Sequence, residues 1–311
     1  METLKNYKIP QTDLTVSRVA YGCGMIGFDF RSPDFVAKTV PNIHAALEQG
    51  INFFDTADIY GSGNSERALG EVVKHSPGLR SKIVLQTKCG VLEDGSIDNS
   101  RKHVLNSVEG SLKRLYTDHI DVLLLHWPDD LVEPEEVARA FDELHESGKV
   151  RYFGVSNHNH YQVELLQKAV RQPLVTNQIQ LGLAHWNTRA NHGKGAGAAT
   201  LGHCRVHNIQ VQAYAPLRVG DGNINLLKPQ ADARTEIKNA AQLLQDVANN
   251  HSTSPSVVML AWLLRHPAQI IPIIGTTKPE HIIDNCAADR VEITRAEWYS
   301  LLEAASRIEL A

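Results

Sequence analysis

Four residues of this sequence stand directly behind or close to short apolar runs: Asp55 after INFF, Tyr60 five residues further on, Lys88 after KIVLQT, and His126 after HIDVLLL. Together they have the makings of a general acid. A phenol has a reference pKa of about 10 and is a poor proton donor at neutral pH, but a nearby cation stabilises its phenolate and lowers that value. Lys88 can be that cation. A lysine in a partly dry pocket needs a counter-ion to keep its charge, and Asp55 can supply it. A histidine hydrogen-bonded near the same point would orient a carbonyl oxygen and share in the proton transfer. The set would polarise a carbonyl for attack by hydride. Taken singly, each residue has a plainer role as a turn, rim or surface group; their coincidence behind three strand-like runs points to chemistry. Asp58, between Asp55 and Tyr60, reads as a turn or cap residue.

These residues need a scaffold that brings several strand ends to one mouth. Strand-like runs occur at 17–21, 51–54, 82–87, 119–125, 150–155, 174–179, 209–214 and 270–274. Amphipathic helical patterns lie between and after them at 33–49, 65–74, 100–115, 134–147, 159–170, 195–207, 254–265 and 279–288. Alternation of this kind implies parallel strands with right-handed crossovers, and eight units over roughly 250 residues suggest a closed (β/α)₈ barrel, an α/β fold with its chemistry at the carboxyl ends of the strands. The rival is an open, doubly wound sheet. Its G-x-G-x-x-G signature is matched in spacing by GCGMIG at 22–27, but no helical pattern begins at once behind it, so the segment reads as a glycine-rich turn. The first dozen residues, with Pro10 and Asp13, suit a hairpin over the barrel bottom. Residues 236–250 and 294–307 add two helices, and 217–234 form a long polar loop.

At this level of detail the chain closely resembles the aldo-keto reductases. DTADIYG, TKCG, LLLHWPD and GVSN occur in that order, and the likeness runs from about residue 7 to residue 290. The resemblance implies a catalytic tetrad of Asp55, Tyr60, Lys88 and His126, with Tyr60 as general acid in NAD(P)H-dependent carbonyl reduction. It implies that Ser156, Asn157 and Gln178 hydrogen-bond the nicotinamide carboxamide, and that Tyr214 stacks on the nicotinamide ring. It also implies that GTTKPEHIIDN (275–285) holds the adenosine end through Gly275, Thr276, Thr277, Lys278, His281, Asp284 and Asn285. Three positions depart from the usual pattern. His281 stands where many members have arginine, and Gly275 where several have lysine, although Lys278 is near enough to serve; NADP(H) is the expected cofactor, with NAD(H) possible. His158 stands where phenylalanine is common and reads as a solvent-facing loop residue. Met25, Phe28, Trp127 and Leu217 are positions able to line an apolar substrate mouth. An alternative on the same fold is a cofactor-binding regulatory subunit, as in the β subunits of potassium channels.

Composition narrows the field further. The 311 residues are 42% hydrophobic with a formal charge of −4, which supports a substantial core and gives no basic field for nucleic acid or anionic membrane. A single domain over 1–311 is expected, with a small-molecule carbonyl or alcohol as partner and no membrane partner. Oligomeric state is not legible. The charged start METLKNYKIP lacks an apolar leader, which suits a cytoplasmic protein. Cys23, Cys89, Cys204 and Cys286 lie far apart with no C-x-x-C pair; reduced thiols are expected, with Cys89 buried behind Lys88, and no metal centre.

Overall fold

The computed structural model describes residues 4–27, 35–186, 198–218 and 225–310. Its first element is an antiparallel hairpin, β1 (Asn6–Lys8) and β2 (Thr15–Ser17). Eight parallel strands follow: β3 (Ala20–Gly22), β4 (Phe53–Asp55), β5 (Val84–Cys89), β6 (Ile120–Leu125), β7 (Val150–Ser156), β8 (Leu174–Gln180), β9 (Gln210–Tyr214) and β10 (Ile271–Ile274). They close into a barrel in sequence order, β10 pairing back onto β3. The (β/α)₈ expectation therefore holds.

Strands buried on both faces read as near-continuous apolar runs rather than alternating ones, as in IDVLLL of β6, where every residue is buried. The helices connecting them begin where local chemistry says they should. Ser100 caps α3 (Arg101–Leu115) by accepting from the His103 amide, Pro134 opens α4 (Pro134–Glu146) ahead of two glutamates, and Asn159 and Gln162 form a capping box on α5 (His160–Ala169). The two side-chain caps satisfy amides that the first turn leaves unpaired, and Pro134 has no amide to satisfy. The remaining helices are α1 (Phe35–Glu48), α2 (Asn64–His75), α6 (Ala198–Val206), α7 (Thr235–Asn250), α8 (Pro255–Leu264), α9 (Pro279–Cys286) and α10 (Arg295–Leu310). Of these, α7 and α10 are the two added helices expected from sequence.

The apolar interior has two parts. The larger lies between barrel and helices. The smaller lies inside the barrel, where Ile9, Leu14 and Val16 of the hairpin region pack with Phe53, Val84, Val122, Val175 and Ile271. The hairpin thus closes the barrel bottom, each fully buried aliphatic side chain contributing about 1.5–3 kcal/mol. The opposite end stays open for chemistry. Among the described residues no helix is long and apolar enough to cross a membrane.

Two expectations need correction. The run 17–21 is not one strand: Ser17 ends β2, and the barrel strand starts only at Ala20. Ser17 makes the transition, its Oγ donating to Val19 O at 2.7 Å while its amide donates to Asn52 Oδ1 at 2.7 Å. Lys88 lies within β5 rather than behind it, its backbone paired with Leu124 of β6. Phe28, residues 193–197 of the GKGAGAAT run with the start of the helix expected at 195–207, and residues 219–224 of the polar loop lie outside the described residues.

Candidate active site

The strand ends bring Asp55, Tyr60, Lys88 and His126 together. Asp55 is the last residue of β4, and Lys88 reaches it from the neighbouring β5: Lys88 Nζ is 2.7 Å from Asp55 Oδ2, 2.8 Å from Thr56 O and 3.4 Å from Tyr60 Oη. The lysine is fully buried. Tyr60 stands on the turn leading to α2, with Lys88 Nζ 4.9 Å from its ring centre and the His126 ring edge-on at 5.5 Å. That turn is packed tightly. A Cβ on Gly27 would stand 2.3 Å from the Ser65 amide nitrogen, so only glycine lets the loop after β3 lie against the start of α2.

The electrostatics follow from burial. Desolvation alone would lower Lys88, but Asp55 and then Tyr60 outweigh it and hold the lysine above its ordinary value. It stays a cation. Tyr60 departs from the sequence expectation: burial raises its phenol above the ordinary value, and the opposing pull of Lys88 does not overcome it. The phenol therefore keeps its proton at neutral pH, ready to donate. Burial first, and then Lys88, push His126 down to about 3. It is a neutral imidazole whose Nδ1 is buried without a hydrogen-bond partner among the described residues.

Asp55 is also held from the barrel interior, where Gln86 Nε2 and Gln178 Nε2 donate to its Oδ1 at 2.6 and 2.9 Å. Both amides donate in turn to Gln212 Oε1, at 2.7 and 3.0 Å. This glutamine belt across β5, β8 and β9 was missed from sequence, although glutamine inside KIVLQT and IQVQAY was the available signal. Gln178 thereby spends its amide N–H groups on Asp55 and Gln212. On the other side of the mouth, Ser156 Oγ donates to Gln178 O at 2.9 Å, and Asn157 Nδ2 donates to His126 O and Ser156 Oγ, both at 3.1 Å. Tyr214 Oη donates to Asn157 Oδ1 at 2.9 Å, which fixes the tyrosine ring at the end of β9. Asn157 itself adopts φ of 63°, a left-handed conformation that asparagine tolerates better than most residues.

A cavity of about 360 Å³ opens beside these groups; its walls include Tyr60, Gln178, Tyr214, Arg218, Gly275 and Asn285. Asp55, Thr276, Met25 and Leu217 line it as well, whereas Lys88, His126, Ser156, Asn157, Trp127, Thr277, Lys278, His281 and Asp284 are outside the described wall. Asp284 Oδ2 instead accepts from Ser254 Oγ at 2.7 Å, at the start of α8. Trp127 offers its carbonyl to Asn99 Nδ2 at 3.0 Å. Arg218 is a cation in the wall that sequence reasoning did not single out; it follows β9 in the loop where barrels commonly bind phosphate.

Three flanking residues clarify the setting. His158 is not solvent-facing: it is buried, its Nδ1 lies 2.8 Å from Ser156 O, and desolvation lowers it to about 4. A neutral ring donating to that carbonyl fixes the shape of the GVSN turn. Cys89 is buried as expected, and burial raises its thiol well above the ordinary value. Asp58 does lie in a turn, but its carboxyl is pushed up to about 7 by burial and then by Glu66, with Ser107, Arg114 and the Ile59 amide offsetting this only in part. Glu66 is fully buried and accepts from Thr87 Oγ1 and Arg114 Nε, both at 2.6 Å.

Asp58 carries a pH prediction. Its folded pKa is above the unfolded value of about 3.9, so between about pH 4 and 7 the folded state binds more protons and stability falls as pH rises. The penalty is complete above pH 7 and absent below pH 4. Asp58→Asn should therefore stabilise the protein at pH 8 more than at pH 5, measured as urea midpoints at both. An unchanged pH slope would contradict this.

Comparison with known proteins agrees with the geometry. The family model described as Aldo/keto reductase family matches residues 18–305. A "6-dehydroglucose reductase" of Agrobacterium fabrum is 36% identical over 307 residues, covering 96% of this chain and 97% of that protein. A protein of the same name from Novosphingobium aromaticivorans is 36% identical, covering 96% and 94%. An aldo-keto reductase from Klebsiella pneumoniae, solved in complex with NADPH, superposes with a TM-score of 0.78 at 25% identity, covering 97% of this chain and 94% of that one.

Proposed function

This chain belongs to the aldo/keto reductase family, and we propose that within it the protein reduces an aldehyde or ketone with NADPH, Tyr60 donating the proton. The observation that carries this reading is the placing of Tyr60 on the cavity wall with its Oη 3.4 Å from a buried Lys88 that is paired with Asp55. A bound nicotinamide supplies hydride to the carbonyl carbon. The protein's own groups then do the rest: neutral His126 offers an imidazole to the carbonyl oxygen, Tyr60 releases its proton to the forming alkoxide, and Lys88 stabilises the phenolate left behind. Asp55 keeps that lysine charged.

The cavity fits the cofactor. Tyr214 provides an aromatic wall, and Gln178, its N–H groups taken by Asp55 and Gln212, provides an amide oxygen able to accept from a primary carboxamide, while Ser156 and Asn157 hold Gln178 and Tyr214 in place. Gly275 and Thr276 at the end of β10, with the amides at the start of α9, suit a phosphate. Arg218 adds positive charge from the facing loop. The relatives' name makes a sugar aldehyde a substrate worth testing first.

Steady-state NADPH oxidation with a panel of small, aryl and sugar aldehydes, including 6-dehydroglucose, tests the reading. Multiple turnovers with one of them are expected; tight cofactor binding without turnover would instead favour a regulatory subunit. Coenzyme choice has its own test. Placing a planar cation at the exposed position 281 should strengthen contact with a 2′-phosphate, so His281→Arg is expected to tighten NADPH about tenfold, as one added charge-assisted hydrogen bond would. NADH affinity, followed by tryptophan fluorescence quenching, should barely move.

A further inference from the structure

We propose that Glu164, His203 and His207 form a zinc-binding site that ties α5 to α6 on the outer helical layer, with water completing the shell. No metal was expected from the sequence, because the cysteines lack metal spacing, and His203 and His207 lie 39 and 43 residues from Glu164 in the chain. Folding changes that. His203 and His207 are four residues apart, and the helical turn continues through His207, whose amide donates to His203 O at 3.0 Å. Both rings therefore lie on one face. That face meets α5, placing His203 Nε2 at 3.5 Å and His207 Nε2 at 3.4 Å from the same oxygen, Glu164 Oε1.

These separations carry the argument. They are longer than an ordinary N–H···O hydrogen bond of about 2.7–3.2 Å, so neither ring bonds the carboxylate well. They match the edge of a tetrahedron around zinc, which is about 3.4 Å when metal–ligand bonds are about 2.0–2.1 Å. All three ligand atoms lie within 4.8 Å of one another. His203 Nε2 is buried and has no hydrogen-bond partner among the described residues, so a polar atom aimed at the site is left unsatisfied. The two imidazoles converge rather than stack, with centroids 4.3 Å apart and planes inclined by 35°.

The donor set selects the ion. Two imidazoles and one carboxylate suit zinc, with one position left open to water, and His207 is exposed, which gives the ion a route in. His160 is one turn before Glu164, with its ring 6.2 Å from that of His203 and 4.1 Å from that of Tyr161; it borders the site without joining the shell. None of these residues lines the cavity beside Tyr60. The bound ion would act as a clamp, securing α6 and the chain that runs from it into β9 and Tyr214.

Tag-free protein, treated with chelator and dialysed, is titrated with zinc chloride. One zinc per chain should co-elute in gel filtration, and the melting temperature should rise with zinc. At a hundredfold excess over Kd the folded-to-unfolded ratio gains about a hundredfold. His207→Ala and Glu164→Gln should each weaken binding tenfold or more while melting like the wild type without metal. Cobalt in place of zinc should show tetrahedral visible bands that His207→Ala abolishes. No stoichiometric zinc, or zinc held equally by both variants, overturns the proposal; should Glu164→Gln melt early, His207→Ala and the cobalt spectrum decide it.

Discussion

Tyr60→Phe should lower turnover by about 10²–10⁴, the range expected for losing a positioned general acid, with NADPH affinity nearly unchanged. The structure explains both halves. Only the phenolic oxygen is removed, and that oxygen is the group 3.4 Å from Lys88 Nζ; the ring keeps its packing against His126 and beside the lysine. Because the lost contact matters chiefly when charge develops on the phenolate, kcat should fall more than KM rises. Wild-type turnover in the phenylalanine variant would rule out Tyr60 as the acid.

The largest stability effects are expected at the buried pair. Lys88→Met leaves the Asp55 carboxylate with only the Gln86 and Gln178 amides, and Asp55→Asn leaves an ammonium facing Thr56 O and Tyr60. Removing one partner of a buried ion pair costs about 3–5 kcal/mol, because the remaining charge is uncompensated. The double variant Asp55→Asn/Lys88→Met should recover much of that loss, since no isolated charge remains, while turnover stays low in all three. Urea unfolding across the double-mutant cycle measures the coupling. Additive losses, with no recovery in the double variant, would show that the two side chains do not act as a pair.

Much of the architecture was legible because strands buried on two faces and helices buried on one leave different periods in the sequence. The hairpin was also legible, since Pro10 and Asp13 break the chain between two short runs. The error at 17–21 has a simple cause: SRVAY has strand character throughout, and only pairing partners separate β2 from β3. His158 was misjudged because a histidine after GVSN carries no local mark of burial; the Ser156 carbonyl that satisfies it is brought into reach by the turn.

By itself, the sequence determined the eight-unit barrel and the identity of the four residues at its mouth, because apolar period and polar strand ends are properties of a local stretch. The tertiary structure decided how those residues behave. Burial sets the ionisation of Tyr60 and His126, a balance of desolvation against neighbouring charge that depends on depth and distance. It also brought Gln86, Gln178 and Gln212 under Asp55, and set His203 and His207 against Glu164. Such meetings join side chains far apart in the chain, made neighbours by the barrel strands for the glutamines and by the packing of α5 on α6 for the histidines.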